Sequence, residues 1–450
     1  MPDPVATATP TGRLTAVQGT ALYVGVVLGT GVIALPALAA EVAGPASLLA
    51  WLALAVLSAP LAATFAALGA RYPDAGGVAT YARLAFGDRA AAVVGWCFYL
   101  SVPVGAPAAG LWVGGYVAAG TGGGTGTVVA TAAALLLFAP VVNSFGIRVT
   151  GRVQLGLAGL LVVFLVVAVA ASLPQARVDN LHPFAPHGWL AVGPAAALLV
   201  WCFVGWEAVT HLTGEFRRPA RDVPRATAAA VVIVGVLYFS VAFATVAVLG
   251  SEAGGSEAPL ADLLAAGLGG SARVLAAVAA LLLTLGVLNA YYAGAAKLGA
   301  ALARDGALPA ALARGSVAGE VPRRSLGLLG GLALTGLLVD VAFGVGLSPL
   351  VFLTNGLFVT VYVVGAAAAV RLLPRRGSGR AGSGGGRARA AAIVTLAVVA
   401  LLLVMSGPYL VWPLLVTGAA LLYLRVSRRP KMPAAPLTPS PRQEAEANGS

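Results

Sequence analysis

Charge is scarce in this chain of 450 residues. Only 10% are Asp, Glu, Lys or Arg, against 59% hydrophobic. Soluble domains carry about 25% charge, so a water-soluble globule is excluded and an integral membrane protein is expected. Cysteine is nearly absent. Cys97 and Cys202 both fall in apolar runs, which excludes a disulfide framework and a thiolate metal cluster. The three histidines, His182, His187 and His211, stand at no ligand spacing, so no metal is expected. No G-x-x-x-x-G-K-[ST] loop is present, which argues against nucleotide hydrolysis as the energy source, and no cofactor is implied. A basic n-region followed by a cleavage site is also lacking, so the first apolar run is expected to stay as a helix.

What the chain has in abundance is apolar length. A crossing needs about 20 residues at ~1.5 Å each. Twelve runs qualify, at about 15–41, 45–69, 90–119, 127–146, 152–173, 191–213, 225–249, 272–296, 325–344, 347–371, 391–405 and 409–426. The net charge of +12 is spread over the short segments between them, which speaks against nucleic acid. With the N-terminus inside, 26 of the 28 basic residues fall in inner segments and only Arg177 and Arg273 outside. That asymmetry predicts cytoplasmic termini in the plasma membrane. The stretch "PRRGSGRAGSGGGRARA" (374–390) reads as a flexible linker, and the Pro-, Ala- and Glu-rich tail as disordered. The expected order is a tail at 1–14, five spans within 15–173, an outer loop and five spans within 174–371, a basic linker at 372–390, two spans within 391–426, and a tail at 427–450.

Glycine is plentiful, and two placements matter. In "VVLGTGVIALPALAAE" (26–41), Gly29, Gly31 and Ala34 spell G-x-G-x-x-A. A dinucleotide turn needs a preceding strand and an acid about 20 residues on. "LLAWLALA" around Ala50 supplies neither. Gly and Pro instead weaken a helix interior by about 1 and 3 kcal/mol, so Gly29, Gly31 and Pro36 predict a break in span 1. Span 6, "LLVWCFVGWEAVTHLTGE" (198–215), carries Gly205 among Trp201, Phe203 and Trp206, with Glu207 the one acid deep in a span. A mid-membrane charge costs at least ~2.5–3.5 kcal/mol on insertion scales. Glu207 is thus either functional or a buried cap on a helix break.

Broken helices five spans apart point to a secondary transporter of all-α fold. Two five-span halves would be related as inverted repeats with broken helices 1 and 6, plus two C-terminal helices. Half-helix N-termini would face an anionic substrate group and opened carbonyls a cationic one. An α-amino acid satisfies both.

"GTGVIALP", "RYPDAGGVATYARLAFG" (71–87), "NSFGIRVTGRVQ" (143–154), "FVGWEAVTHLTGEFRRPARDVPRA" (203–226) and "ARDGALP" (303–309) resemble the amino acid–polyamine–organocation superfamily of permeases. Within it, the span 6 block and "TNGLFVTVYVVGAAAAVRLLP" (354–374) are most similar to the bacterial exporter of methionine and branched-chain amino acids. The resemblance implies alternating access without nucleotide hydrolysis. It implies that amides of Thr30, Gly31 and Val32 receive the substrate carboxylate, and that carbonyls of Val27, Phe203 and Val204 receive the ammonium beside Gly205. Trp201 matches an occluding aromatic, and Glu207 an acid used in coupling or gating. Val104, Asn289, Tyr292 and Asn355 are candidate pocket walls, although Asn289 and Asn355 could equally bond between helices.

Two departures bear on coupling. Span 8 offers only Thr284 as a hydroxyl where sodium-coupled relatives use several, so sodium is disfavoured. Span 5 lacks the Lys of some proton-coupled relatives. His211, four residues after Glu207, shares its helix face and could form a relay or simply pack. Lys297 is expected to snorkel to the inner surface, and "EFRRPARDVPRA" to pair at an inner gate and hold anionic lipid. The expectation is a non-enzymatic transporter of neutral, apolar L-amino acids, coupled to protons in the export direction. Uptake or antiport is the alternative, and cationic amino acids or polyamines a lesser one. An intramembrane enzyme would need a nucleophile with its base and a channel would need polar rings; neither pattern is present.

Overall fold

In a computed structural model the described residues are 14–72, 77–146, 151–208, 216–316, 320–374 and 384–427. The tails, the middle of the basic linker and the segment holding His211 and Glu215 lie outside them, so the expectations placed there are not addressed.

The described chain is helical, and its only β feature is an isolated bridge between Leu14 and Phe216. Ten helical stretches are long and apolar enough to cross a membrane. One of them, Leu35–Arg71, joins the second half of span 1 to span 2 through a turn at Gly44–Ala46. The other nine are spans 3–5 and 7–12. Spans 1 and 6 are missing from the ten because their described helices, such as Ala16–Val27 and Trp189–Cys202, stop short at a break. These stretches with the short pieces of spans 1 and 6 fit the expected order of spans, and the face on which Leu14 lies is called here the terminal face.

Local chemistry sets the ends. Thr15 starts span 1 with a capping box: its Oγ1 accepts from the Gln18 amide at 3.3 Å, and Gln18 Oε1 accepts from the Thr15 amide at 3.0 Å. Span 8 runs from Ala272 to Arg304, one stretch longer than its apolar core because Lys297 and Arg304 can be carried on a helix that projects past the hydrocarbon. Span 11 starts at Gly384, so Arg387 and Arg389 of the expected linker belong to a helix; alternating Arg and Ala are good helix formers.

Small residues let the spans approach. Gly114 on span 3 faces the Val128 backbone of span 4, and Gly299 on span 8 faces the Tyr99 ring, whose hydroxyl pairs with Ser325 at 3.0 Å. Spans 2 and 7, and spans 3 and 8, are packed pairs. Such pairs exchange partners when the first five spans are matched to the second five, as the inverted arrangement requires. Large apolar side chains such as Val56, Val163, Val232 and Leu414 point outward as a lipid-facing surface. Cys97 and Cys202 are buried free thiols, and the described residues contain no cluster suited to a metal.

Candidate functional site

The α-helix of span 1 ends at Val27, with the Leu28 amide still bonded to the Val24 carbonyl at 2.9 Å. A 3-10 turn over Gly31–Ile33 follows, and the α-helix resumes at Leu35 with Pro36 in its first turn, where a missing N–H costs nothing. The next backbone bonds run from the Ile33 amide to Thr30 and from the Ala34 amide to Gly31. The amides from Gly29 to Val32 therefore have no backbone acceptor among the described residues. The carbonyls of the break are better provided for. Val27 accepts from the Tyr238 hydroxyl at 2.7 Å, and Ile33 from the Tyr116 hydroxyl at 2.5 Å.

Span 6 opens differently. Its α-helix ends at Leu199, a 3-10 turn covers Val200–Phe203, Val204 is extended, and Gly205 adopts φ +120°. The Gly205 amide donates to Glu207 Oε2 at 3.0 Å and to the Tyr362 hydroxyl at 3.1 Å. That hydroxyl in turn donates to the same carboxylate oxygen at 2.5 Å. Glu207 is only 4% exposed, which a lone carboxylate in an apolar bundle could not tolerate without such donors. The Tyr238 hydroxyl also lies 2.8 Å from the Cys202 carbonyl, so one phenol serves both breaks.

The breaks meet at their glycines. A Cβ on Gly205 would lie 3.2 Å from the Val26 carbonyl oxygen and 3.4 Å from Val27 Cα, besides the strain of a positive φ. A Cβ on Gly31 would lie 2.7 Å from Trp201 Cδ1 and 2.8 Å from Cys202 Sγ. Beside them is a cavity of about 60 Å³, room for little more than ordered water. Val27, Thr30, Trp201 and Val204 line it. So do Ser101, Gly105, Tyr291, Thr354 and Phe358 from spans 3, 8 and 10. No charged side chain lines it, and the hydroxyls of Ser101 and Thr354 bond back to their own helices at 2.7 and 2.8 Å.

On the far face Trp201 closes the cavity. Its ring end faces Gly105, where a Cβ would lie 2.8 Å from Cη2, and it meets Trp112 edge-on with centroids 5.1 Å apart. Tyr116 adds a second closure: besides bonding Ile33 it accepts from the Leu260 amide at 3.1 Å, tying the outer helix Pro259–Leu268 to the break of span 1. Toward the terminal face a vestibule of about 540 Å³ shares Val26, Val287 and Tyr291 with the small cavity. Glu207 and Lys297 line it.

The structure thus gathers Val27, Thr30, Gly31, Trp201, Val204, Gly205 and Glu207 around the two breaks. Val32 is wholly buried beside them, and the Phe203 backbone completes the 3-10 turn. The expected pocket walls fall elsewhere. Asn289 accepts from Asn143 Nδ2 on span 4 at 2.8 Å, an interhelical bond. Asn355 donates to the carbonyls of Ala197 and Leu198 at 2.8 and 2.9 Å, bracing span 6 before its break. Val104 and Tyr292 line neither cavity; their neighbours Gly105 and Tyr291 do. Val27's carbonyl, expected to take an ammonium, already accepts from Tyr238. Sequence reasoning missed Tyr238 and Tyr362, polar tips in apolar spans with no periodic signature. Ser101, Gly105 and Ala109 form a small-residue stripe at i, i+4 spacing that was legible.

Comparison with known proteins agrees with this architecture. The amino acid permease family model matches residues 14–438. The uncharacterized amino acid permease YecA of Bacillus subtilis (strain 168) is 34% identical over 81% of this chain and 86% of its own. The L-methionine/branched-chain amino acid exporter YjeH of Escherichia coli (strain K12) is 36% identical over 80% and 86%. The branched-chain amino acid permease BcaP of Bacillus subtilis (strain 168) is 27% identical over 66% and 68%. The chain belongs to the amino acid permease family; it is a multi-pass membrane transporter of amino acids and not an enzyme.

Proposed function

We propose that this amino acid permease carries neutral, apolar L-α-amino acids by alternating access, with its terminal face in the cytoplasm and proton-coupled export as its working direction. The observation that carries the reading is the run of open amides at Gly29–Val32, of which Gly29 and Thr30 line a cavity free of charged side chains. A helix-start amide cluster attracts a carboxylate, and uncharged walls give a cationic or acidic side chain no partner. The amides of Thr30, Gly31 and Val32 would take the carboxylate. With Val27 occupied by Tyr238, the ammonium falls to the carbonyls of Phe203 and Val204.

The inside-heavy distribution of Lys and Arg supports cytoplasmic termini. Glu207 supports proton coupling, as the one carboxylate lining either cavity among the described residues, held by the amide at the break of span 6. Likeness to the methionine and branched-chain exporter supports both the apolar substrates and the direction. Likeness to the branched-chain permease keeps uptake as the second reading of the same site.

A thermal-shift screen of the purified chain against all amino acids and polyamines tests the substrate class. Leucine, isoleucine, valine and methionine should raise the melting temperature, since a ligand of the native state stabilises by mass action. Stabilisation by arginine or putrescine in their place would refute it.

A further inference from the structure

The vestibule on the terminal face holds one positive charge that nothing so far has used. Lys297 lies on span 8, six residues and so about 9 Å along the helix from Tyr291. Tyr291 stands where the vestibule joins the cavity between the breaks. Lys297 makes no ion pair among the described residues. The wall around it is apolar: Gly294 lies between it and the junction on span 8, Leu298 and Ala301 lie past it, and Gly95 and Phe98 come from span 3. Glu207, at the break of span 6, is the other ionisable side chain lining the vestibule besides Tyr291 and Lys297.

The volumes give this arrangement a consequence. The cavity between the breaks, about 60 Å³, is too small for an amino acid in this conformation, whereas the vestibule, about 540 Å³, admits one whole. An amino acid arriving from the terminal face passes Lys297 before it reaches Tyr291 and the open amides of span 1. We propose that the vestibule is a second amino acid subsite, in which Lys297 takes the substrate carboxylate, the apolar wall takes the side chain, and the substrate then passes to the breaks. The same ammonium repels cationic amino acids and polyamines at this mouth. The inference rests on the neutral amino acid reading above and adds a place and a residue to it.

The test is counterflow of radiolabelled L-leucine by the full chain in phosphatidylcholine vesicles, comparing the native chain, Lys297→Met, Lys297→Gln and Lys297→Arg. The half-saturating leucine concentration should rise at least fivefold in the Met and Gln variants, with the maximal rate within twofold, and stay near native in the Arg variant. L-Leucinamide, which lacks the carboxylate, should compete equally against all four. Arginine should compete better against the Met and Gln variants than against the native chain. Half-saturation within twofold of native in both neutral variants, with transport intact, overturns the subsite and leaves the transport reading standing. So does a shift seen only when anionic lipid is added, which would make Lys297 a lipid ligand. A native chain that transports no neutral amino acid overturns both.

Discussion

The two helix breaks use the same device and are finished in opposite ways. In span 1 the carbonyls at the break are capped by phenols, Val27 by Tyr238 and Ile33 by Tyr116, while the amides from Gly29 to Val32 stay open. In span 6 the Gly205 amide is occupied by the chain's own carboxylate, Glu207, which Tyr362 also holds. An amide cluster at a helix start calls for an anion. Span 6 meets that call with its own acidic side chain, and on the proposed reading span 1 leaves the place for the substrate carboxylate. A single acidic residue thus makes the two breaks of the repeat differ, and on the proposed reading that difference is functional.

The sharpest way to break this asymmetry is to fill the open side. Gly31→Leu places a side chain where the first added carbon already meets Trp201 and Cys202 at under 3 Å. Leucine binding should fall below detection while the chain still inserts and elutes as a monodisperse species. Binding retained by a folded Gly31→Leu chain would put the carboxylate somewhere other than the span 1 amides.

Glu207→Gln tests the filled side. The amide is nearly isosteric and its oxygen can still accept from Gly205 and Tyr362, so the fold should survive. What is lost is a group that can take up and release a proton. Counterflow at neutral pH should drop about tenfold, an effect of ~1.4 kcal/mol, and the pH dependence of net transport should flatten. A native pH profile at full rate would make Glu207 a cap alone.

Tyr238→Phe attacks the hinge between the breaks. The carbonyls of Val27 and Cys202 are cut off from the amides a continuous helix would offer, and Tyr238 serves both. Removing one hydroxyl from a buried site with two waiting acceptors should cost about 2–3 kcal/mol of stability, read as a lower melting temperature. Leucine half-saturation should change less than in either preceding variant.

How much of this was legible in the sequence follows from which groups leave a pattern. Both breaks were visible, because Gly29, Gly31, Pro36 and Gly205 weaken a helix whatever surrounds them. The crossings were visible from apolar length alone. The partners that finish each break were not. Tyr116, Tyr238 and Tyr362 come from spans 3, 7 and 10, and a phenol in an apolar run reads the same whether its hydroxyl bonds a broken helix or, like that of Tyr292, finds no partner among the described residues. Asn289 and Asn355 took the interhelical alternative left open for them, since a polar residue in a span announces a buried bond but not to what.

Asn355 makes the finest probe of the comparison because it touches span 6 without touching the cavity. Its amide nitrogen braces the carbonyls of Ala197 and Leu198, one turn before the break, while its own oxygen is buried without a partner among the described residues. Asn355→Ala removes two hydrogen bonds and, at the same time, one unsatisfied oxygen, so the losses partly cancel. The expected cost is about 1–2 kcal/mol of stability, with leucine half-saturation within twofold of native. A change in half-saturation larger than the change in stability would mean that this brace sets the angle at which span 6 meets the open amides of span 1. Substrate affinity would then be determined from both breaks rather than from one.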